Sequence, residues 1–250
     1  MSEVIRKSID ILNKIKPSEE KVEWSVTEIS RELNIPIQTV HRILSCLSEY
    51  GFVYRDNKNK RYKLGLSLME LGLSIRDNLS VRNTALPIME QLSSDTKESV
   101  YLTVQEGSDG IFIDCIDSPH LLKIVEPIGM RRPLCVAASK KVILAFLKPV
   151  SRSLIIDELI TKGYVTNEQE LREQIRIIKE QGFAISYGET TEGTVSIAAP
   201  IFSWEDDVIG SISVAGPEGR FVGTRLNEII KLTTKSACEI SEELGWFARV

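Results

Sequence analysis

The sequence has little of what metal, redox or membrane chemistry requires. It holds two histidines, His41 and His120, and neither has a Cys or His neighbour at ligand spacing, so no metal site is expected. The four cysteines, Cys46, Cys115, Cys135 and Cys238, are scattered with no C-x-x-C pair and read as reduced thiols of a cytoplasmic protein. No run approaches the length of an apolar membrane span. Charges thread through "MSEVIRKSIDIL", which is wrong for a secretory signal. There is no G-x-S-x-G motif, and "GPEGRF" lacks the G-K-[ST] ending of a phosphate loop. A hydrolase would need a nucleophile with a base, and only His120, in an "SPH" turn, is left over for that role. The acidic clusters at Glu205 to Asp207 and in "EISEE" read as a hairpin turn and a solvated helix face. No catalytic residue and no cofactor follow from the chain.

What is present is the composition of a soluble globular protein: 250 residues, 42% hydrophobic and 26% charged, enough for one large or two ordinary domains. The net charge of −4 hides an asymmetry. Residues 1–65 hold 12 Lys/Arg against 9 Asp/Glu, and the remainder holds 19 against 26. A basic N-terminal third on an acidic protein points toward nucleic acid, though ordinary variation can produce the same imbalance.

The order of elements in that third sharpens the hint. Ser2 to Ile15 carries a helical apolar pattern that Pro17 and "SEEKVE" end. In "WSVTEISRELNI", Ser25 or Thr27 can cap a short helix whose apolar positions are Ile29 and Leu33. Asn34 tolerates a left-handed turn, and Pro36 suits a first helical position. A third helix is expected from about Pro36 to Tyr50, stopped by Gly51. "FVYRDNKNKRYKL" reads as strand, polar turn, strand.

Three helices, a tight turn between the second and third, and a basic hairpin make a winged helix-turn-helix. Ile29, Leu33, Ile37, Val40 and Leu44 are expected to pack the second helix on the third, leaving the other face of the third free to enter a major groove. That face carries Gln38, His41, Arg42 and Ser45, all donors and none acidic. Gln38 can pair with adenine, and Arg42 can read guanine or clamp a phosphate. Thr39 and Ser45 suit phosphate oxygens, as do Ser25 and Thr27 at the start of the second helix. Arg55, Lys58, Lys60, Arg61 and Lys63 crowd the wing, placed to follow the backbone or minor groove. A merely solvated helix face and a pure protein-binding module are the competing readings; neither accounts for the basic wing.

"SVTEISRELNIPIQTVHRILSCLSEYGFVYRDNKNKRYKLGLSLMELG" resembles the IclR family of transcription regulators, whose pattern there is a capped helix, a Pro turn, "T-V-x-R-x-L", "G-[FY]-[IV]" and "Y-x-L-G". Thr39, Val40, Arg42 and Leu44 match, as do Gly51 to Val53, Tyr62, Leu64 and Gly65. Two further stretches resemble the family's second domain: "EPIGMRRPLCVAASKKVILAFL" and "GFAISYGETTEGTVSIAAPIF", with "VIGSISVAGP" as the closing strand. The resemblance covers essentially the whole length. It implies a regulator that binds double-stranded operator DNA, represses or activates, and answers to a small-molecule effector. It also implies a homodimer, with a homotetramer by pairing of effector domains.

The residues of the second half agree. Leu66 to Leu79 reads as a linker helix, and Val81 to Leu92 as a helix that Pro87 kinks or delays. Strand-like runs follow, "SVYLTVQE", "GIFIDCID", "LLKIVEP", "FAISYG", "TVSIAAPIF" and "VIGSISVAG", with helices over 137–147, 168–181 and about 224–245. Short turns between strands point to an antiparallel sheet flanked by helices, an α+β domain consistent with the GAF-like effector domain of the family. The expected division is 1–65 for DNA binding, 66–79 for the linker and 80–250 for the effector. The resemblance puts pocket-lining positions at Ile124, Met130, Ala138, Ser139, Ser186, Tyr187, Ser196 and Ser213. Here the chain departs from its family pattern: Ser186 stands for Asp, Ser196 for Cys, Lys140 for Gly, Cys135 for His and Ala137 for Ser/Thr. Loss of the Asp charge favours an acidic ligand. The helix opening near Ala138 offers N–H groups and a dipole to an anion. Lys140 either reaches the pocket mouth or faces water. A regulator whose altered pocket senses no metabolite is the alternative.

Overall fold

Local punctuation shapes the first part of the computed structural model, which describes residues 2–18 and 21–247. Helices α1 (Glu3–Lys14), α2 (Val26–Leu33) and α3 (Ile37–Glu49) precede an antiparallel pair, β1 (Val53–Arg55) and β2 (Tyr62–Leu64), and helix α4 (Ser67–Asp77). Ser25 is the N-cap of α2. Its hydroxyl accepts the Glu28 N–H, and its own N–H donates to the Glu28 carboxylate at 2.8 Å, a reciprocal capping box. That backbone N–H, with Lys21, the Ser25 hydroxyl and Arg61 behind it, outweighs desolvation and holds the Glu28 carboxyl down at about 2. Asn34 ends α2 in the left-handed region, at φ 52°, and Gly51 turns the chain into the hairpin at φ 72°. Pro36 sits one place earlier than expected, at the N-cap of α3.

The core of this unit is Ile11, Ile15, Ile29, Ile35, Val40, Ile43, Leu44, Val53 and Tyr62. Ile37, expected inside, is 52% exposed. It is the first residue of α3, ahead of the turn that reaches the core, and Ile35 in the preceding turn fills that space instead. Leu33 and Leu47 pack partly against the same core. Trp24 bridges to Tyr62 as a third short strand, with Lys14 and Lys21 against its ring at 4.8 and 3.8 Å.

The chain divides into compact units at Met1–Asn78 and Leu79–Val250, so α4 falls in the first. The second unit contains α5 (Ser80–Thr96), β3 (Ser99–Glu106), β4 (Asp109–Ile116), β5 (Arg131–Pro133), α6 (Ala137–Phe146), α7 (Pro149–Thr161), α8 (Glu168–Gln181), β6 (Ala184–Tyr187), β7 (Thr194–Phe202), β8 (Val208–Pro217) and α9 (Gly223–Glu243). The strands form one sheet in the order β5-β4-β3-β8-β7-β6, with every pair antiparallel. Side chains alternate across it. Val100, Leu102, Ile197, Ala199, Ile212 and Val214 pack with Met89 and Leu92 of α5 and Ile229 and Ile240 of α9. On the other face Ala184 and Ala198 pack with Val142 and Ile143 of α6, Ile156 of α7 and Ile175 of α8. This is the expected α+β domain.

Three details differ from expectation. "LLKIVEP" makes no strand; Leu121, Leu122 and Val125 are exposed, and the edge strand beside β4 is β5. Helix α7 stands beside the three helices expected in this part; Pro149 is in its first turn, where its missing N–H costs nothing. Pro87 lies inside α5, which starts at Ser80.

Candidate nucleic-acid interface and ligand cavity

The capping box and the Pro turn aim α3. Gln38, His41, Arg42 and Ser45 are exposed along it, and none of their side chains bonds to a described residue. Thr39 is half-buried, and Thr27 is exposed in the first turn of α2. The helix therefore presents donors that no internal acceptor uses, the requirement for reading base edges. In the hairpin, Arg55 is exposed and lies 5.7 Å from the Tyr62 ring centroid. Lys58 and Lys60 are exposed at the bend, and Lys63 covers the Tyr54 ring at 5.2 Å.

Two of the expected contacts are turned inward. Arg61 donates to the Glu23 carbonyl at 3.1 Å and to the Glu28 carboxylate at 3.3 Å, tying the wing to the cap of α2. The Ser25 hydroxyl is occupied by its cap.

In the second unit, a cavity of about 40 Å³ lies between the sheet and the start of α6. Register explains its polar wall. Ser186 and Ser196 are cross-strand partners, and their hydroxyls meet at 2.9 Å. Ser213 and Ala215 of β8 share that face with Tyr101 and Phe112. The Tyr101 hydroxyl donates to the Ile124 carbonyl at 2.7 Å and accepts the Glu126 N–H at 3.1 Å, which fixes the loop as a wall. Met130 and Ser139 complete it.

Of the eight expected positions, the cavity gathers Ile124, Met130, Ser139, Ser186, Ser196 and Ser213. Ala138 is instead buried among the α6–α8 side chains. Tyr187 is 54% exposed, because the alternation that turns Ser186 inward turns its neighbour out. The start of α6 is already taken by an internal anion. The Glu189 carboxylate accepts the Ala137 N–H at 3.0 Å and pairs with Lys141 at 2.9 Å. Ala137 itself is held at φ 62°, a conformation that costs a non-glycine residue on the order of 1 kcal/mol.

Lys140, for which the sequence leaves both the pocket mouth and water open, is on the cavity side. It lines the cavity at 1% exposure, with Nζ 3.3 Å from the Phe112 ring centroid. Burial pushes its ammonium down to about 7, with Glu126 opposing and Arg132 reinforcing. The signal was in the sequence. Apolar residues flank the two lysines of "AASKKVILAF" on both sides, and the helix is buried from Ala137 to Ala145.

A capped helix-turn-helix with an unused donor face and a basic wing, followed by a separate α+β unit with a polar cavity, defines a DNA-binding regulator. Two family models match: the IclR helix-turn-helix domain over residues 4–57, and the bacterial transcriptional regulator IclR C-terminal domain over residues 74–242. The HTH-type transcriptional regulator KipR of Bacillus subtilis (strain 168) is 32% identical over 251 residues, covering 98% of each chain. The crystal structure of Thermotoga maritima IclR superposes with a TM-score of 0.77 at 27% identity, covering 97% of this chain and 98% of that one. An IclR homologue from Microbacterium hydrocarbonoxydans, solved in complex with 4-hydroxybenzoate, shares the fold with a TM-score of 0.79 at 22% identity, over 97% of this chain and 99% of its own. The chain belongs to the IclR family: it is a DNA-binding transcriptional regulator, not an enzyme. Among the described residues no helix is long and apolar enough to cross a membrane.

Proposed function

We propose that a small organic acid held in the α6 cavity sets the affinity of this regulator for its operator. In this reading α3 enters the major groove, Gln38 and Arg42 read bases, and His41, Ser45, Thr39 and Thr27 support them. Arg55, Lys58 and Lys60 follow the phosphate backbone. The observation that carries the DNA half is the row of four exposed donors on α3 without internal partners. The protein would work in the cytoplasm as a homodimer or homotetramer, which two half-sites require. Val4, Ile5 and Ile9 of α1 and Met69, Leu71 and Ile75 of α4 are exposed and offer the apolar surface for such pairing.

The effector half is supported by the cavity's serine hydroxyls and its buried cation. A volume of about 40 Å³ holds roughly three water molecules, which is close to the size of acetate, and longer acids would need the cavity to widen. An aromatic acid such as that bound by the Microbacterium homologue would need the cavity to widen. The cavity belongs to the second unit and α3 to the first, so the acid would act by changing the spacing of paired DNA-reading domains rather than by covering α3. Gel retardation of genomic fragments, with and without a panel of short acids, tests this. A few fragments should bind far more tightly than bulk DNA, and one acid should change that affinity. Uniform binding to all fragments would contradict the operator reading; operator binding that no acid alters would contradict the effector reading.

A further inference from the structure

Lysine is seldom fully buried without a partner, because an ammonium loses strong hydration on leaving water. Helix α6 carries two such lysines side by side. Lys141 is answered by Glu189. Lys140 is not: no carboxylate or carbonyl among the described residues accepts a hydrogen bond from it, and the Phe112 ring is the group its ammonium lies against. The fold nevertheless makes room for it. A Cβ added at Gly110 of β4 would stand 2.7 Å from Lys140 Cγ, so the bare backbone there is the notch that the lysine stem fills. The stem is thus seated as a core side chain would be, while its charged end meets a cavity walled by Ser139, Ser186, Ser196 and Ser213.

The other charges around the cavity do not complete this site. Glu189 is spent on Lys141 and on the Ala137 N–H. Glu126 and Arg132 both line the cavity; Glu126 attracts the Lys140 charge more than Arg132 repels it, but neither makes a hydrogen bond to it. A lysine whose role was only to fill space would serve better as a methionine. A lysine that is built in, buried and not hydrogen-bonded to any acid is an anion receptor awaiting its anion.

We infer that Lys140 binds the carboxylate of the effector and makes the cavity select anionic over neutral ligands, an inference that rests on the cavity's being the effector site. The carboxylate takes the ammonium as its ion-pair partner, the serine hydroxyls donate to its remaining lone pairs, and the Phe112 ring covers the pair from water.

The test uses the full-length protein as wild type, Lys140→Met and Lys140→Arg. Thermal shift and titration calorimetry are run with acetate, glycolate, lactate, malonate and succinate at millimolar concentration, each beside its uncharged amide. At least one acid should stabilise the wild type while its amide does not. Lys140→Met should bind that acid at least about tenfold more weakly, the loss of one charge-assisted contact, and Lys140→Arg should keep part of the affinity. If Lys140→Met does not fold, Lys140→Gln, of similar length and uncharged, answers the same question. Equal acid binding by the uncharged variant overturns the role of Lys140 and leaves the cavity as the effector site. Equal binding of acid and amide overturns charge selection. A panel that leaves the wild type unmoved overturns both the inference and the reading beneath it.

Discussion

Lys140→Met should stabilise the protein, and should do so most at low pH. The substitution keeps the length of the side chain and removes its charge. In the folded chain burial pushes the Lys140 ammonium from 10.5 to about 7. At about 1.4 kcal/mol per pH unit, holding the charge in place costs up to about 5 kcal/mol, and water entering the cavity reduces that figure. The direction follows from proton counts. Between about pH 7 and 10.5 the unfolded chain binds a proton at Lys140 that the folded chain does not, so wild-type stability rises with pH across that window. Below pH 7 both states are protonated and the penalty is complete; above 10.5 neither is and the penalty is gone. The attraction of Glu126 and the repulsion of Arg132 are already contained in that lowered value, while the Glu189–Lys141 pair is present in both proteins. Urea unfolding followed by circular dichroism at about pH 6, 7.5 and 9 measures it. The advantage of the Met variant should be largest at pH 6 and shrink toward pH 9. A difference independent of pH, or a Met variant less stable than wild type at pH 6, would show that Lys140 is held by contacts that stabilise it.

Lys58→Ala should weaken binding to all DNA sequences alike and flatten the salt dependence by about 0.9 in slope, as measured by fluorescence anisotropy at several salt concentrations. Arg61→Ala should instead lower the melting temperature of the first unit, by about 1 kcal/mol of stability, because its guanidinium serves Glu23 and Glu28. Ser25→Ala should cost the same unit about 1 kcal/mol through the lost cap. With its carboxyl held at about 2, Glu28 contributes stability above pH 4.5 that disappears as pH falls toward 2; Glu28→Gln should abolish that acid-sensitive step in a thermal melt. Sedimentation at micromolar concentration should show dimers or larger, given the exposed Val4, Ile5, Ile9, Met69, Leu71 and Ile75, and a monomer there would contradict the proposed pairing.

The first unit was legible because local rules govern it. Ser25 with Glu28 three places on is a capping box in any context, and Asn34 and Gly51 punctuate where their backbone preferences say. Ile37 misled because a helical stripe does not reveal where the core begins; Ile35, outside the helix, was nearer. Arg61 misled because charge in a wing does not disclose which cations turn back onto the cap of α2. In the second unit the family resemblance put Ser186, Tyr187 and Ser196 in the pocket; the sheet pairs Ser186 with Ser196, and period-two alternation turns Tyr187 outward. Glu189 on the start of α6 joins residues 52 positions apart, a pairing that only the folded chain creates. Lys140 was readable in part. The apolar run around it required burial, but the notch at Gly110 and the ring of Phe112 come from another strand.

The most direct test of the account is the affinity of wild type and Arg42→Ala for a selected operator and for unrelated DNA at one salt concentration. If α3 reads bases with its free donors, Arg42→Ala should lose about 1–3 kcal/mol of discrimination between the two while much of its affinity for unrelated DNA remains. A variant that keeps the wild-type ratio of operator to unrelated affinity would mean that the exposed face of α3 is not what reads the DNA.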